Sequence, residues 1–162
     1  CHQGQKWQWS ERVKITILSP KTEQLSNAKD ERNEMSCVVY LQVVNAQPYQ
    51  NFLLMGDAGW PTEYQILQQY PDLKVDVLVL GHHGSRHSSA YHFLKQLNPK
   101  LVIASAGFNN RYGHPSSVVE SRLKELKIPL LTTVDQGSIR FSTHKNIMAT
   151  EVERDSQRWL KR

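Results

Sequence analysis

Val13-Lys14-Ile15-Thr16-Ile17-Leu18 alternates apolar and polar side chains, the two-residue period of a half-buried strand, and Pro20 ends it. Between 21 and 34 only Leu25 and Ala28 are apolar, so residues 19–35 predict a mobile loop. Residues 37–44 predict a second strand, with Asn45-Ala46-Gln47-Pro48 as a turn. Phe52-Leu53-Leu54-Met55 is apolar throughout, as central buried strands are, and runs straight into Gly56-Asp57. The rhythm then changes: a helix over 62–69, a strand over 75–80, a helix over 89–97 and a strand over 101–104. A third helix is expected over 116–126, with Ser116 or Ser117 suited as N-cap, and strands over 130–133 and 139–142 close the unit.

Strand–helix alternation with short connections predicts a layered α/β structure. A chain of 162 residues, 39% hydrophobic, with no internal repeat, is expected to form a single domain over 1–162. No apolar run approaches the ~18 residues of a membrane-spanning helix, so the chain as given is not expected to cross a membrane. The opening Cys1-His2-Gln3-Gly4 holds neither a signal-peptide core nor an initiator methionine, which predicts an excised segment. Twenty Lys and Arg against fifteen Asp and Glu give a net charge of +5, suited to a polyanion such as nucleic acid but common in ordinary domains. Cys1 and Cys37 do not form a zinc ribbon; they are one disulfide or two unrelated residues.

Three apolar strands end in clusters of chemically capable residues. These are Gly56-Asp57, then Gly81-His82-His83-Gly84-Ser85, then Asn109-Asn110-Arg111-Tyr112-Gly113-His114-Pro115. In α/β sheets ligands bind at the carboxyl ends of strands, where loops converge on one crevice. A carboxylate and several imidazoles delivered there make a donor set for Zn, Mn or Fe. Taken singly, each has a plainer reading: Asp57 as a turn or helix cap, His114 as a turn residue. In an extended segment His82 and His83 would point to opposite sides, one facing the crevice and the other bracing it. His2, His87, His92 and His144 lack a strand-end context and read as surface residues.

The ordered set Phe52-Leu53-Leu54-Met55-Gly56-Asp57-Ala58, Val77-Leu78-Val79-Leu80-Gly81-His82-His83-Gly84-Ser85 with Ser88-Ser89, and Ser105-Ala106-Gly107 with Asn110 and Tyr112-Gly113-His114-Pro115 resembles the soluble domain of ComEC-type DNA-internalisation competence proteins. The resemblance runs from the Gly4-x-x-Trp7-x-Trp9 start to about Gly137-Ser138-Ile139. It implies a metallo-β-lactamase-like αββα sandwich, of which this chain is the C-terminal half, a mixed sheet with helices. The family's first half carries a His-x-Asp-x-Asp-His motif, and no such motif occurs here. Gly59-Trp60 also stands where the family has an acidic residue.

By that resemblance Asp57 is a metal-bridging carboxylate, His82 or its neighbour His83 is a further metal ligand, and His114 is a late metal ligand or a substrate contact. His82, His83 and Ser85 form the catalytic motif, with an imidazole acting as acid or phosphate holder and Ser85 as a hydroxyl donor. Arg86, Arg111 and Asn110 are placed to hold nucleic acid. The implied cofactors are two divalent ions, Mn or Zn, in the intact domain, with none or weak binding by this fragment. The implied partners are DNA, the upstream half of the same domain and the membrane channel of the parent protein, with self-association of the fragment through its uncovered sheet. The implied activity is hydrolysis of DNA phosphodiesters, on the strand that is not imported. The parent would sit in the bacterial inner membrane, with this domain on the periplasmic or extracellular face. Two alternatives stand beside it: a non-catalytic DNA-binding half-domain, and another hydrolase of the same fold.

Overall fold

The computed structural model describes residues 1–26 and 32–156. One seven-stranded sheet follows chain order: β1 (Lys6–Gln8), β2 (Val13–Ser19), β3 (Val38–Val43), β4 (Asn51–Leu54), β5 (Val77–Val79), β6 (Leu101–Ala104) and β7 (Leu130–Thr132). β1 to β4 pair antiparallel and β4 to β7 parallel, so β4 is where the direction rule changes. Helices α2 (Trp60–Gln69), α3 (Tyr91–Leu97) and α4 (Ser117–Glu125) make the parallel crossovers. Ser116 caps α4, its hydroxyl accepting from Val119 N–H.

The parallel strands are apolar on both faces, and alternate residues divide between two cores. Leu53, Leu78 and Val102 pack with Ile66, Leu67, Phe93, Leu94, Val119 and Leu123 of the helices. Phe52, Val77, Leu101 and Ile103 face the other way and meet Met148 and Phe141. This explains strands that read as continuous apolar runs.

One expectation changes on that second face. Residues 130–133 close the parallel sheet as β7, but 139–142 do not join it. β8 (Ile139–His144) instead pairs with β9 (Ile147–Val152) in a separate two-stranded sheet, Phe141 setting its ring edge on Phe52 at 5.1 Å. Only Met148 of β9 is fully buried, so the strand leaves almost no apolar signature. The hairpin covers part of the face; beside it Val13, Leu41, Leu54 and Val79 line an open apolar groove of about 490 Å³.

Within the polar stretch, α1 (Thr22–Ser26) and a 3-10 turn (Arg32–Met35) are helical, while 27–31, the middle of the expected loop, lie outside the described residues. Of the two cysteine alternatives, the disulfide is realised: Cys1 and Cys37 are bonded. The short helices α5 (Thr133–Gln136) and α6 (Glu153–Ser156) complete the order. No helix among the described residues is long and apolar enough to cross a membrane.

Candidate active site

Three loops meet at the carboxyl ends of β4, β5 and β6. After β4 the chain turns at Gly56, and Asp57 N–H donates to Ser36 Oγ at 3.1 Å, tying the loop to the residue beside the disulfide. Glu34 fixes the same loop from the other end. Its carboxylate accepts from Gly59 N–H (3.2 Å), Thr62 N–H (3.2 Å) and Thr62 Oγ1 (2.6 Å), which serves the free amides at the start of α2.

After β5, Gly81–Gly84 forms a 3-10 turn in which His82, His83 and Gly84 all have positive φ, at 48°, 58° and 82°. The extended segment expected there is therefore replaced by a left-handed turn, and both imidazoles reach the same crevice. Close packing at both ends of the turn leaves room only for glycine. A Cβ on Gly81 would stand 2.2 Å from the Ala58 carbonyl oxygen, and one on Gly84 2.8 Å from Pro115 Cβ. His82 N–H donates to Gly56 O (2.9 Å), Ser85 N–H to His82 O (2.9 Å) and Ser116 N–H to Gly84 O (2.9 Å), so neighbouring loops clamp the turn. Left-handed non-glycine residues cost about 1–3 kcal/mol each and collect at functional sites.

A buried polar network holds the rest of this loop. Ser88 Oγ donates to Gly81 O (2.7 Å), and Arg122 Nη1 to the carbonyls of Ser88 (3.2 Å) and Ser89 (3.0 Å). Glu63 is 1% exposed and accepts from the amides of Ser89 and Ala90. Burial pushes its carboxyl up to about 7 against the pull of those two amides and Arg122.

The expected donors come together. The rings of His82, His83 and His114 lie 5.9–6.4 Å apart, and His83 Nε2 is 3.5 Å from Asp57 Oδ1. His83 Nδ1 is 2.7 Å from Ser105 O, a group that only accepts, so Nδ1 carries the proton. In the neutral ring Nε2 then presents a lone pair beside the Asp57 carboxylate. His114 Nδ1 is buried without a hydrogen-bond partner. Burial, then the charges of His82 and His83, hold that imidazole below its ordinary range. The donor types suit a divalent ion, yet among the described residues no group of three or more His, Cys, Asp or Glu is set to hold one.

The other expected residues take varied places. Ser85 is buried in the loop, its hydroxyl accepting from His87 N–H at 3.4 Å. Arg86 is exposed. Asn110 spends its amide on its own loop: Oδ1 accepts from His114 N–H (2.8 Å), and Nδ2 donates to His114 O (2.8 Å) and Gly107 O (3.1 Å). Arg111 lies over the Tyr112 ring at 4.8 Å. His87, His92 and His144 are exposed and His2 is half-buried. Sequence reasoning missed Glu34, Ser36, Glu63 and Arg122, whose partners lie 21 to 34 positions away. Glu63 carried the one usable signal, an acid in the first turn of a helix otherwise short of charge.

No family profile matches the chain. Its sequence is 34% identical over 138 residues to ComE operon protein 3 of Bacillus subtilis and 36% identical over 138 residues to competence protein ComA of Neisseria gonorrhoeae, each match covering 85% of the chain. Recombination protein 2 of Haemophilus influenzae is 33% identical over 140 residues, 86% of the chain. The chain spans only 17%, 19% and 16% of the lengths of these curated relatives. Among solved structures, a protein described as a metal-dependent hydrolase from Parabacteroides distasonis superposes with a TM-score of 0.51 at 13% identity, over 82% of this chain and 56% of the neighbour. That likeness is one of fold, a mixed α/β arrangement.

Proposed function

We propose, for a chain that belongs to the ComEC-type family of competence proteins, a part in DNA uptake: it is the C-terminal half of a metal-dependent domain that hydrolyses DNA phosphodiesters. The observation that carries this reading is the meeting of Asp57, His82, His83 and His114 at the ends of parallel strands, in a chain whose relatives include competence proteins. The metal-dependent hydrolase of similar fold adds support for metal use.

Asp57, His82 and His114 would hold part of the coordination, and the upstream half of the domain would supply the remaining donors. That half would also cover the apolar groove beside the hairpin, which otherwise favours self-association of the fragment. When bound, two divalent ions, Mn or Zn, polarise the phosphoryl oxygen and supply a nucleophilic water near neutral pH. His83, oriented through Ser105, holds or moves a proton at Nε2. Ser85 closes the turn that carries both imidazoles and would offer a hydroxyl donor. Arg86 and Arg111 meet the DNA backbone, and Asn110 keeps His114 in place. The parent protein would lie in the bacterial inner membrane next to its DNA channel, with this domain on the periplasmic or extracellular face, acting on the strand that is not imported.

The test uses the intact domain, upstream half included, with metal content measured beside cleavage. Asp57→Ala should cut metal-dependent cleavage by about a thousandfold or more, the several kcal/mol of charge stabilisation that metals provide. His87→Ala should cleave like the parent. Parent-rate cleavage by Asp57→Ala would refute the assignment, and DNA binding with no cleavage at all would favour a non-catalytic DNA-binding half-domain.

A further inference from the structure

The loop after β6 shows two large aromatic side chains to solvent, Phe108 at 76% and Tyr112 at 66% exposure. Each has a guanidinium beside it: Arg154 lies 5.3 Å from the centre of the Phe108 ring, and Arg111 4.8 Å from that of Tyr112, with Arg111 Nη2 donating to the Tyr112 hydroxyl. Tyr112 stacks on His114 at 5.8 Å with 18° between planes, and His114 stacks on His83 at 6.4 Å with 27°. A row of nearly parallel rings thus runs from Asp57 outward to solvent. It borders an open cavity of about 440 Å³ lined by His83, Ser105, Asn110, Tyr112 and His114.

We infer that Phe108 and Tyr112, with Arg111 and Arg154, form a stacking platform for unpaired nucleobases. The inference rests on the nucleic-acid reading of the site above. Flat π-faces flanked by cations complement a strand that alternates bases with phosphates, and base–aromatic stacking tolerates any sequence because every base has a π-face. A duplex keeps those faces in its own stack and offers the loop only phosphates and groove edges. The platform therefore selects single-stranded nucleic acid and feeds it toward the imidazoles.

Binding separates this proposal from the hydrolytic one. The full 162-residue chain is titrated with a fluorescent thymidine 20-mer, and with a blunt duplex of equal length, in EDTA so that no cleavage intervenes. Phe108→Ala and Tyr112→Ala should each weaken single-strand binding about fivefold to a hundredfold, the range for loss of one stacked base, and leave duplex binding within twofold. Tyr112→Trp should restore single-strand binding. Equal losses on both nucleic acids, no loss on either, or a change of oligomeric state by light scattering in place of a binding loss would overturn the platform. Failure of metal-dependent cleavage in the intact domain leaves these binding results standing and refutes only the hydrolytic reading.

Discussion

The loop after β5 and the loop after β6 occupy equivalent places on neighbouring parallel strands, yet they are built in opposite ways. The first is internal: Ser85, Ser88 and Ser89 are buried, Glu63 and Arg122 serve its backbone, and a left-handed turn presents two imidazoles. The second is external: it closes on itself through Asn110, and its aromatic and cationic side chains stand in solvent. Two of the candidate imidazoles, His82 and His83, stand on the buried loop, and the third, His114, stands on the exposed one beside its aromatic and cationic side chains.

The glycines of the two loops give the largest test of that difference. Gly81→Ala places a methyl 2.2 Å from the Ala58 carbonyl oxygen, so it should lower stability by about 3 kcal/mol, the upper end of the overpacking range. Gly107, with nothing within 4 Å of an added Cβ, should accept alanine within about 0.5 kcal/mol. Urea unfolding of both variants checks the pair, and similar midpoints would mean that the loops are equally tolerant.

Glu63 sharpens the comparison through pH. Its carboxyl titrates at about 7 in the fold against 4.5 ordinarily, so the folded chain keeps a proton that the unfolded chain releases. The stability tied to that proton is complete below pH 4.5 and is lost as the pH rises through 7, a swing of roughly 3 kcal/mol. Glu63→Gln does not titrate and should flatten the fall between pH 5 and 8 in urea midpoints, while Glu63→Ala should cost about 2 kcal/mol by stranding the amides of Ser89 and Ala90. An unchanged pH slope in Glu63→Gln would remove the buried acid from this account.

A smaller effect is expected on the exposed loop. Asn110→Ala deletes bonds to Gly107 and both backbone groups of His114, and should cost about 1 kcal/mol, because water replaces most of what is lost. Its clearer sign should be a broadened His114 imidazole resonance, with those of His82 and His83 unmoved. Loss of order at all three would show that the loops are not independent.

These tests also mark how far the sequence could be read. The alternating and apolar runs placed β2 to β7 and the three crossover helices within a few residues, and the α4 cap was narrowed to Ser116 or Ser117, of which Ser116 is the one used, because capping is decided within one turn. β9 was invisible: only Met148 is buried along it, and its pairing comes from β8 and from a bridge between Ile147 and the distant Gln47. The His82-His83 conformation was misread for a similar reason. Adjacent residues alternate sides only in a strand, and here the segment is a left-handed turn tied to Gly56 and Ser116, residues 26 and 32 positions away from their partners in the turn.

Local order along the chain determined the period of each strand, the position of the helix starts and the fact that acid and imidazole residues follow apolar strands. Those properties depend on neighbours within a few positions, which a linear pattern records. Tertiary structure alone decided that Cys1 meets Cys37, that Ser36 and Glu34 hold the Asp57 loop, that Glu63 is buried beneath Ser89, and that His83 faces Asp57 while His114 stacks between His83 and Tyr112. Each joins positions up to tens of residues apart, and its energy exists only once strand order and core packing have brought the two ends within a few ångströms.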